Sequence, residues 1–259
     1  MKRTTGLLAV AAIALAPALV SADDFVWHGH VASGRTLEIR GVNGGIEASA
    51  GSGEAEVRAV KSARRSDPES VEIKVVEHAD GVTICAVYPT PPDASRPNEC
   101  VAGGEGGRMN TRDNDVQVKF MVRVPAGIRF VARTVNGGID AKGLAGDVDA
   151  KTVNGSIKLD TSGRAEAKTV NGSIEASMGR ADWAGTNEFK TVNGAIRLDL
   201  PSDLSADVSA KTVNGGIETD FPLTVKGRFS RGSMQGTIGA GGRALELETV
   251  NGGIHLSRR

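Results

Sequence analysis

The sequence predicts an all-β protein, a single elongated parallel β-solenoid of about 16–22 residues per coil, on three observations. The first is the stretch Lys151-Thr152-Val153-Asn154-Gly155-Ser156-Ile157, which returns with small changes around Asn136, Asn171, Asn193, Asn214 and Asn251. A degenerate copy occupies Ser233-Met234-Gln235-Gly236-Thr237-Ile238, and an outlying one Val42-Asn43-Gly44-Gly45-Ile46. Steps between the seven consecutive copies are 18, 17, 22, 21, 21 and 16 residues, and a period near 20 marks units that bury their apolar faces only against one another. Secondly, only 3% of residues are aromatic while glycine reaches 34, so the core is thin and built from Ala, Val, Ile and Leu; a compact globule wants more aromatic bulk. The third observation is a charge pattern, taken up below.

Lys2 and Arg3 precede an apolar run over residues 7–20, and Val20-Ser21-Ala22 leads into Asp23. That is the plan of a secretory signal peptide over residues 1–22, and it predicts an exported protein, periplasmic, extracellular or on the cell surface. The run is too short to favour a membrane span, and nothing later approaches ~18 consecutive apolar residues, so no transmembrane segment is expected after cleavage. Of 31 basic residues the leader takes two, which leaves 29 against 31 acidic ones and a formal charge of −2. No global field draws such a chain to nucleic acid or an anionic membrane.

One β-solenoid domain is expected over 23–259. Period-two patterns and β-branched content predict strands at 25–30, 36–40, 55–60, 71–76 and 82–88. Four prolines between Pro89 and Pro97, then the glycines of 103–107, make 89–114 a long irregular loop, of a kind that is functional or poorly ordered. Cys85 and Cys100 suit one disulfide in an exported protein and match no thiolate metal motif; closing a loop of about 15 residues stabilises by roughly 3 kcal/mol. Residues 116–124 form the strongest strand pattern. Pro125-Ala126-Gly127 turns it into the regular repeats of 131–259, where only 180–188 is ambiguous with helix.

Asn-Gly between apolar-alternating runs is also a hairpin signal. In hairpins Lys151 would face Lys158, and Lys190 would face Arg197. Like charges placed opposite one another are destabilising, although Arg133/Asp140, Lys168/Glu175 and Lys211/Glu218 would agree. Stacked in register instead, the position after each Ile reads Asp140, Lys158, Glu175, Arg197, Glu218, and every neighbouring pair has opposite sign. Coils about 4.8 Å apart bring these side chains together, so stacking is favoured. Asn154 and Asn171 then neighbour each other, and six steps span roughly 29 Å. Thr134, Thr152, Thr169, Thr191, Thr212 and Thr249 form a column suited to a pleated surface, and Ala141, Leu159, Ala176, Leu198 and Leu256 share the inward side with Ile. Asn136, Asn154, Asn171, Asn193, Asn214 and Asn251 form a structural ladder of stacked amides at a bend.

On Val122-Arg123-Val124-Pro125-Ala126-Gly127, Thr134-Val135-Asn136-Gly137-Gly138-Ile139 and the later Asn-Gly-x-Ile copies, the chain resembles a family of bacterial exported proteins, the putative-adhesin family with β-strand repeats, a domain of unknown function. The resemblance covers most of the chain after the leader, and more securely from residue 116 onward. It implies a right-handed parallel β-helix and an extracytoplasmic role, with no known catalytic residues.

Parallel β-helices include polysaccharide lyases and hydrolases, so a polysaccharide-degrading enzyme is one alternative. Trp27, Trp183 and Tyr88 are scattered, however, and Asp149, Glu166 and Glu188 recur as a column, as on a solvated strand face. No nucleophile or phosphate-loop motif is complete, and no cofactor or metal is expected. His28 and His30 share a strand face and read as surface histidines. A second alternative is polyanion binding, for example an acidic polysaccharide, through Arg133, Lys151, Lys168, Lys190 and Lys211. Acids two residues before three of these lysines make self-neutralisation the simpler reading. The expected function is a non-catalytic exported scaffold, adhesin-like, binding a surface polymer, envelope component or protein partner. Trp183, in a segment inserted within a 22-residue step, is the preferred contact, because longer segments on one face of a solenoid often mark the binding face.

Overall fold

The computed structural model describes residues 20–21, 25–103, 109–225, 230 and 232–259. The leader and its cleavage site lie outside the described residues apart from Val20–Ser21, which pairs with residues 62–63. The protein is all-β, with two 11-stranded sheets rich in parallel pairs and a single 3-10 turn at Pro68–Ser70 among the described residues. Each full repeat gives one strand to each sheet. Val148–Lys151 ends on its lysine in one sheet and Ile157–Thr161 begins on its isoleucine in the other. The Thr-Val-Asn-Gly-x segment makes the corner between them. We call such a pair a rung, and the two sheets the Lys sheet and the Ile sheet.

Within the Ile sheet Asp140 pairs in parallel with Lys158, Lys158 with Glu175, and Glu175 with Arg197, as stacking requires. Lys151 and Lys158 lie in different sheets, so the hairpin reading fails. The core between the sheets is as thin as the composition predicts. Ile139, Ile157, Ile174, Ile196 and Ile254 form one buried column, and Ala141, Leu159, Ala176, Leu198 and Leu256 a second beside it.

The order of rungs departs from the order of the chain. By their bridges the asparagines run 43, 136, 154, 171, 193, 251, 214. Asn43 is thus a full member of the stack, joined directly to Asn136. The chain between them builds caps from Ala55–Ala63 and Gln117–Pro125 on the Ile sheet, and from Glu72–His78 and Gly81–Val87 on the Lys sheet.

Two expectations are corrected at the other end. The Gln235 copy is not a rung. Met234, Gly236 and Ile238 all point inward, so period-two alternation runs straight through the Gln-Gly where a rung would turn its corner. Ser233–Ile238 therefore pairs antiparallel with Ala206–Lys211 and caps the Lys sheet. The Asn251 rung, last in sequence, sits inside the stack. Ala244–Glu248 lies between the strands ending at Lys190 and Lys211, and Ile254–Arg258 between those of Arg197 and Glu218. Leu245, Leu247, Ile254 and Leu256 are fully buried there, whereas Ile217–Thr219 has no fully buried residue; the more apolar rung takes the inner place.

The corner sets the spacing of the stack. A Cβ on Gly155 would press into the carbonyl oxygen of Gly137, and Gly137, Gly172, Gly194, Gly252 and Gly215 stand likewise against the glycine one rung back. This close approach lets the Asn side chains bond each to the next. Asn154 Nδ2 donates to Asn136 Oδ1 at 2.8 Å, Asn171 to Asn154 at 2.8 Å and Asn193 to Asn171 at 2.7 Å. The buried Thr column uses the same carbonyls. Thr152 Oγ1 donates to Gly137 O at 2.9 Å and Thr169 Oγ1 to Gly155 O at 3.0 Å. Gly155→Ala is therefore expected to lower stability by about 1–3 kcal/mol, the usual cost of forced overpacking, in equilibrium denaturation. A change of only a few tenths would mean that the rungs are not this close.

The Cys85–Cys100 disulfide forms, with Cα atoms 5.7 Å apart. It packs with Val87, Val76 and Met109, and its loop is tied further by Asn98. The Asn98 amide Nδ2 donates to Tyr88 O and Asn110 O at 3.0 and 2.7 Å. Replacing both cysteines by serine is expected to cost up to about 3 kcal/mol. Hydrogen exchange is expected to show amide protection in the Asn154 and Asn171 rungs unchanged, because the bond closes a cap and not a rung.

Candidate functional site

The two outward faces carry the charged columns, and they differ. On the Lys sheet Arg40, Arg133, Lys151, Lys168 and Lys190 are successive pairing partners, and then Glu248 separates Lys190 from Lys211. Like charges placed directly opposite are unfavourable, and a second column offsets them. Glu166, Glu188 and Glu246 stand two residues before the basic positions, so each lysine meets acids of its own and the next rung. Lys168 Nζ contacts Glu188 and lies 3.5 Å from Glu166, while Lys190 Nζ lies 3.1 Å from Glu188 and 3.7 Å from Glu246. Burial works to lower the Lys168 pKa, yet its contacts with Glu188 and Glu166 more than reverse this and leave it raised. Hydrogen bonding to Glu188 raises Lys190, and the two lysines together hold Glu188 below the ordinary carboxylate range. The basic column exists as geometry, with Lys168 and Lys190 engaged by the face's own acids.

At the capped end the same face holds a cluster that does not repeat. Glu38 is 3% exposed. Its Oε1 lies 2.9 Å from Arg40 Nε and 3.1 Å from Arg133 Nε, and its Oε2 accepts from Thr83 Oγ1 at 3.1 Å. His78 Nε2 is in turn 3.1 Å from Thr83 Oγ1, and Arg129 lies 3.6 Å from Asp149. A cavity of about 570 Å³ opens beside them, lined among others by His78, Asp80, Arg129 and Arg133. Sequence reasoning found only Arg133 here and missed the convergence. The other members come from three strands far apart in the chain, brought together when Asn43 joins the stack. Each charge has a partner of opposite sign, as a buried ion cluster must.

Trp183, the contact preferred from sequence, is not on the surface. It is 5% exposed, and its indole Nε1 donates to Ala244 O at 3.0 Å. The inserted segment folds the ring over the core, where it braces the strand of the out-of-order rung. Such burial satisfies an aromatic body and its one polar atom together.

The outward face of the Ile sheet is more open. A groove of about 520 Å³ between Glu47, Glu56, Arg58, Met121 and Arg123 reaches Asp140 and Lys142. From these two residues a second, of about 330 Å³, continues past Lys158, Glu175, Arg197 and His255. Lys158 lies 3.5 Å from Glu175, Arg197 3.8 Å from Glu175, and His255 3.5 Å from Glu218. These side chains are roughly half exposed or more, whereas the acids of the Lys sheet lie in under its lysines. Among the described residues no group of three or more His, Cys, Asp or Glu is placed to hold a metal, and no helix is long and apolar enough to cross a membrane.

Residues 142–257 match the family model described as Toastrack DUF4097, in keeping with the resemblance drawn from the Asn-Gly-x-Ile copies. A Clostridium sporogenes structure named as a putative cell adhesion protein aligns over 92% of this chain and 99% of its own, at 11% identity and a TM-score of 0.47. A putative adhesin of Bacteroides fragilis aligns over 92% and 97%, at 11% identity and 0.26. A putative lipid binding protein of Parabacteroides distasonis aligns over 91% and 96%, at 8% identity and 0.24. No curated protein matches the sequence.

The ion pairs of the Lys face make stability depend on pH. Glu188 has a lowered folded pKa, so its contribution is present above the ordinary carboxylate range and is lost as pH falls through the lowered value. Glu188→Gln is expected to cost about 0.5–1 kcal/mol at neutral pH, the range of a part-exposed pair. Melting curves of the two proteins should converge as acid protonates Glu188. A gap that persists at the acid end would mean that the pairing is not ionic.

Proposed function

We propose that this chain, which carries a Toastrack DUF4097 domain over residues 142–257, is an exported, non-catalytic adhesin-like scaffold built as one right-handed parallel β-solenoid. It binds a surface polymer, an envelope component or a partner protein along the outward face of the Ile sheet. The observation that carries this reading is the pair of grooves sharing Asp140 and Lys142, which cross successive rungs beneath alternating charges. A site made of repeated, individually weak contacts suits an extended ligand with its own regular spacing, since tethered contacts add through effective concentration. The Lys face supports polyanion binding poorly, because Lys168 and Lys190 are engaged by Glu166, Glu188 and Glu246.

A glycan and envelope-polymer array combined with a depolymerisation assay tests this reading. Saturable binding is expected, with a loss of about tenfold on Lys158→Glu combined with Arg197→Glu, which amounts to ~1.4 kcal/mol. Lys168→Gln should leave binding unchanged. Release of products from any polysaccharide would overturn the non-catalytic reading. Binding that depended on Lys168 and weakened steeply with salt would move the site to the Lys face.

A further inference from the structure

The asparagine ladder has a direction. In all six steps the amide Nδ2 donates toward the Asn43 end: Asn136 to Asn43, Asn154 to Asn136, Asn171 to Asn154, Asn193 to Asn171, Asn251 to Asn193, and Asn214 to Asn251. The backbone follows the same rule. In an inner rung the N–H of Gly155 donates to Asn171 O and that of Ile157 to Ser173 O, both at 2.9 Å, and the carbonyl of Val153 accepts from Asn171 N at 2.8 Å. The two ends of the ladder are therefore chemically different.

At the Asn43 end the row is closed. Val118 N donates to Asn43 O at 2.7 Å, Phe120 N to Gly45 O at 3.0 Å, and the Tyr88 hydroxyl lies over the same carbonyl. At the Asn214 end only the Lys sheet is closed, where Thr212 N donates to Gly232 O and Ser233–Ile238 lies along Ala206–Lys211. The Ile sheet stops at Ile217–Thr219. Among the described residues nothing meets the outward N–H groups of Gly215 and Ile217, the carbonyl of Val213, or Asn214 Oδ1. Exposure reports the missing neighbour: Val213 is 72% exposed, against 38–39% for Val135, Val153, Val170 and Val192.

We propose that the edge at residues 213–219 is a docking site for an extended segment of a partner protein, which adds to the Ile sheet as one more rung. The partner runs parallel to the edge, because every neighbouring rung does. Opposite Asn214 it presents a side-chain N–H donor such as Asn or Gln, since the only free ladder atom there is an acceptor. Apolar residues lie beside Val213 and Ile217, and a basic residue faces Glu218, whose side chain is 81% exposed. A second copy of this chain does not fit. Two Asn214 ends meeting head to head would set acceptor against acceptor, and the donor end of a copy is covered by its own cap. Main-chain bonds to a free sheet edge give such docking its affinity, and alternate side chains its specificity. This edge is separate from the grooves of the Ile face, so either can bind without the other.

The probe is a labelled peptide of residues 152–159, whose Asn154, Ile157 and Lys158 supply the required donor, apolar and basic groups. Added to the full chain, it is expected to bind saturably and to perturb the amide resonances of Gly215 and Ile217. Asn154→Asp in the peptide, which turns the donor into an acceptor, should weaken binding about tenfold or more, ~1.4 kcal/mol. Ile217→Pro in the protein removes an N–H that faces away from the stack, as edge prolines do, and should abolish binding. If that variant does not fold, Glu218→Lys changes only an exposed side chain, and should transfer preference to the peptide with Lys158→Glu. Absence of binding at millimolar peptide, equal binding of the Asn154→Asp peptide, or no response to Glu218→Lys would overturn the proposal. So would sedimentation showing that the edge is occupied by a second copy of the chain.

Discussion

The structure depends on one close approach, the passage of each corner glycine against the carbonyl of the glycine a rung back. Any side chain at that position would hold the rungs apart. Because none is there, the Asn amides come within 2.7–2.9 Å of one another, and the Thr hydroxyls reach the same glycine carbonyls. A typical hydrogen bond nets about 0.5–1.5 kcal/mol, so no single one is decisive. Their shared dependence on one spacing makes the corner act as a unit. Register follows, because a slip of one residue would turn every Ile of the core outward.

That spacing also forces like charges into contact. The lysine that ends each strand of the Lys sheet must stand beside the next lysine, and the arrangement persists because the glutamates two positions earlier reach across to the following rung. The acids are drawn in under the ammonium groups, and the face is closed to a highly charged ligand. On the Ile sheet the signs alternate along the column itself, so neutralisation needs no second row and the side chains stay open to solvent. Two faces of one repeat thus differ in what they can bind, although their compositions are similar.

Much of this was legible in the chain. Asp140, Lys158, Glu175 and Arg197 indicated parallel stacking against the hairpin alternative, and the corner motif located Asn43 as a copy. The inserted place of Asn251 was not legible. Arg197 beside Glu218 satisfies the charge rule as well as the observed row of Arg197, His255 and Glu218 does, and a step of 21 residues looks alike in either arrangement. The Gln235 copy misled because its spacing is regular; its unbroken alternation of inward residues was the better signal. Trp183 was misjudged because an insertion in a repeat can lie over the core as easily as project from it. The cluster around Glu38 could not be assembled at all, since Glu38, Thr83 and Arg133 meet only after the chain between Asn43 and Asn136 has folded back.

The inserted rung sets an order of events on a chain made from its N-terminus. The Asn214 rung is synthesised before its neighbour, so it must wait, or rest for a time on the Asn193 rung that it will later give up. Only when residues 244–258 have emerged can both sheets close around them. Growth by simple duplication is limited for the same reason. An extra repeat between Asn136 and Asn193 lengthens the stack by one rung, whereas one added after Asn214 would contend for the place that the final segment fills.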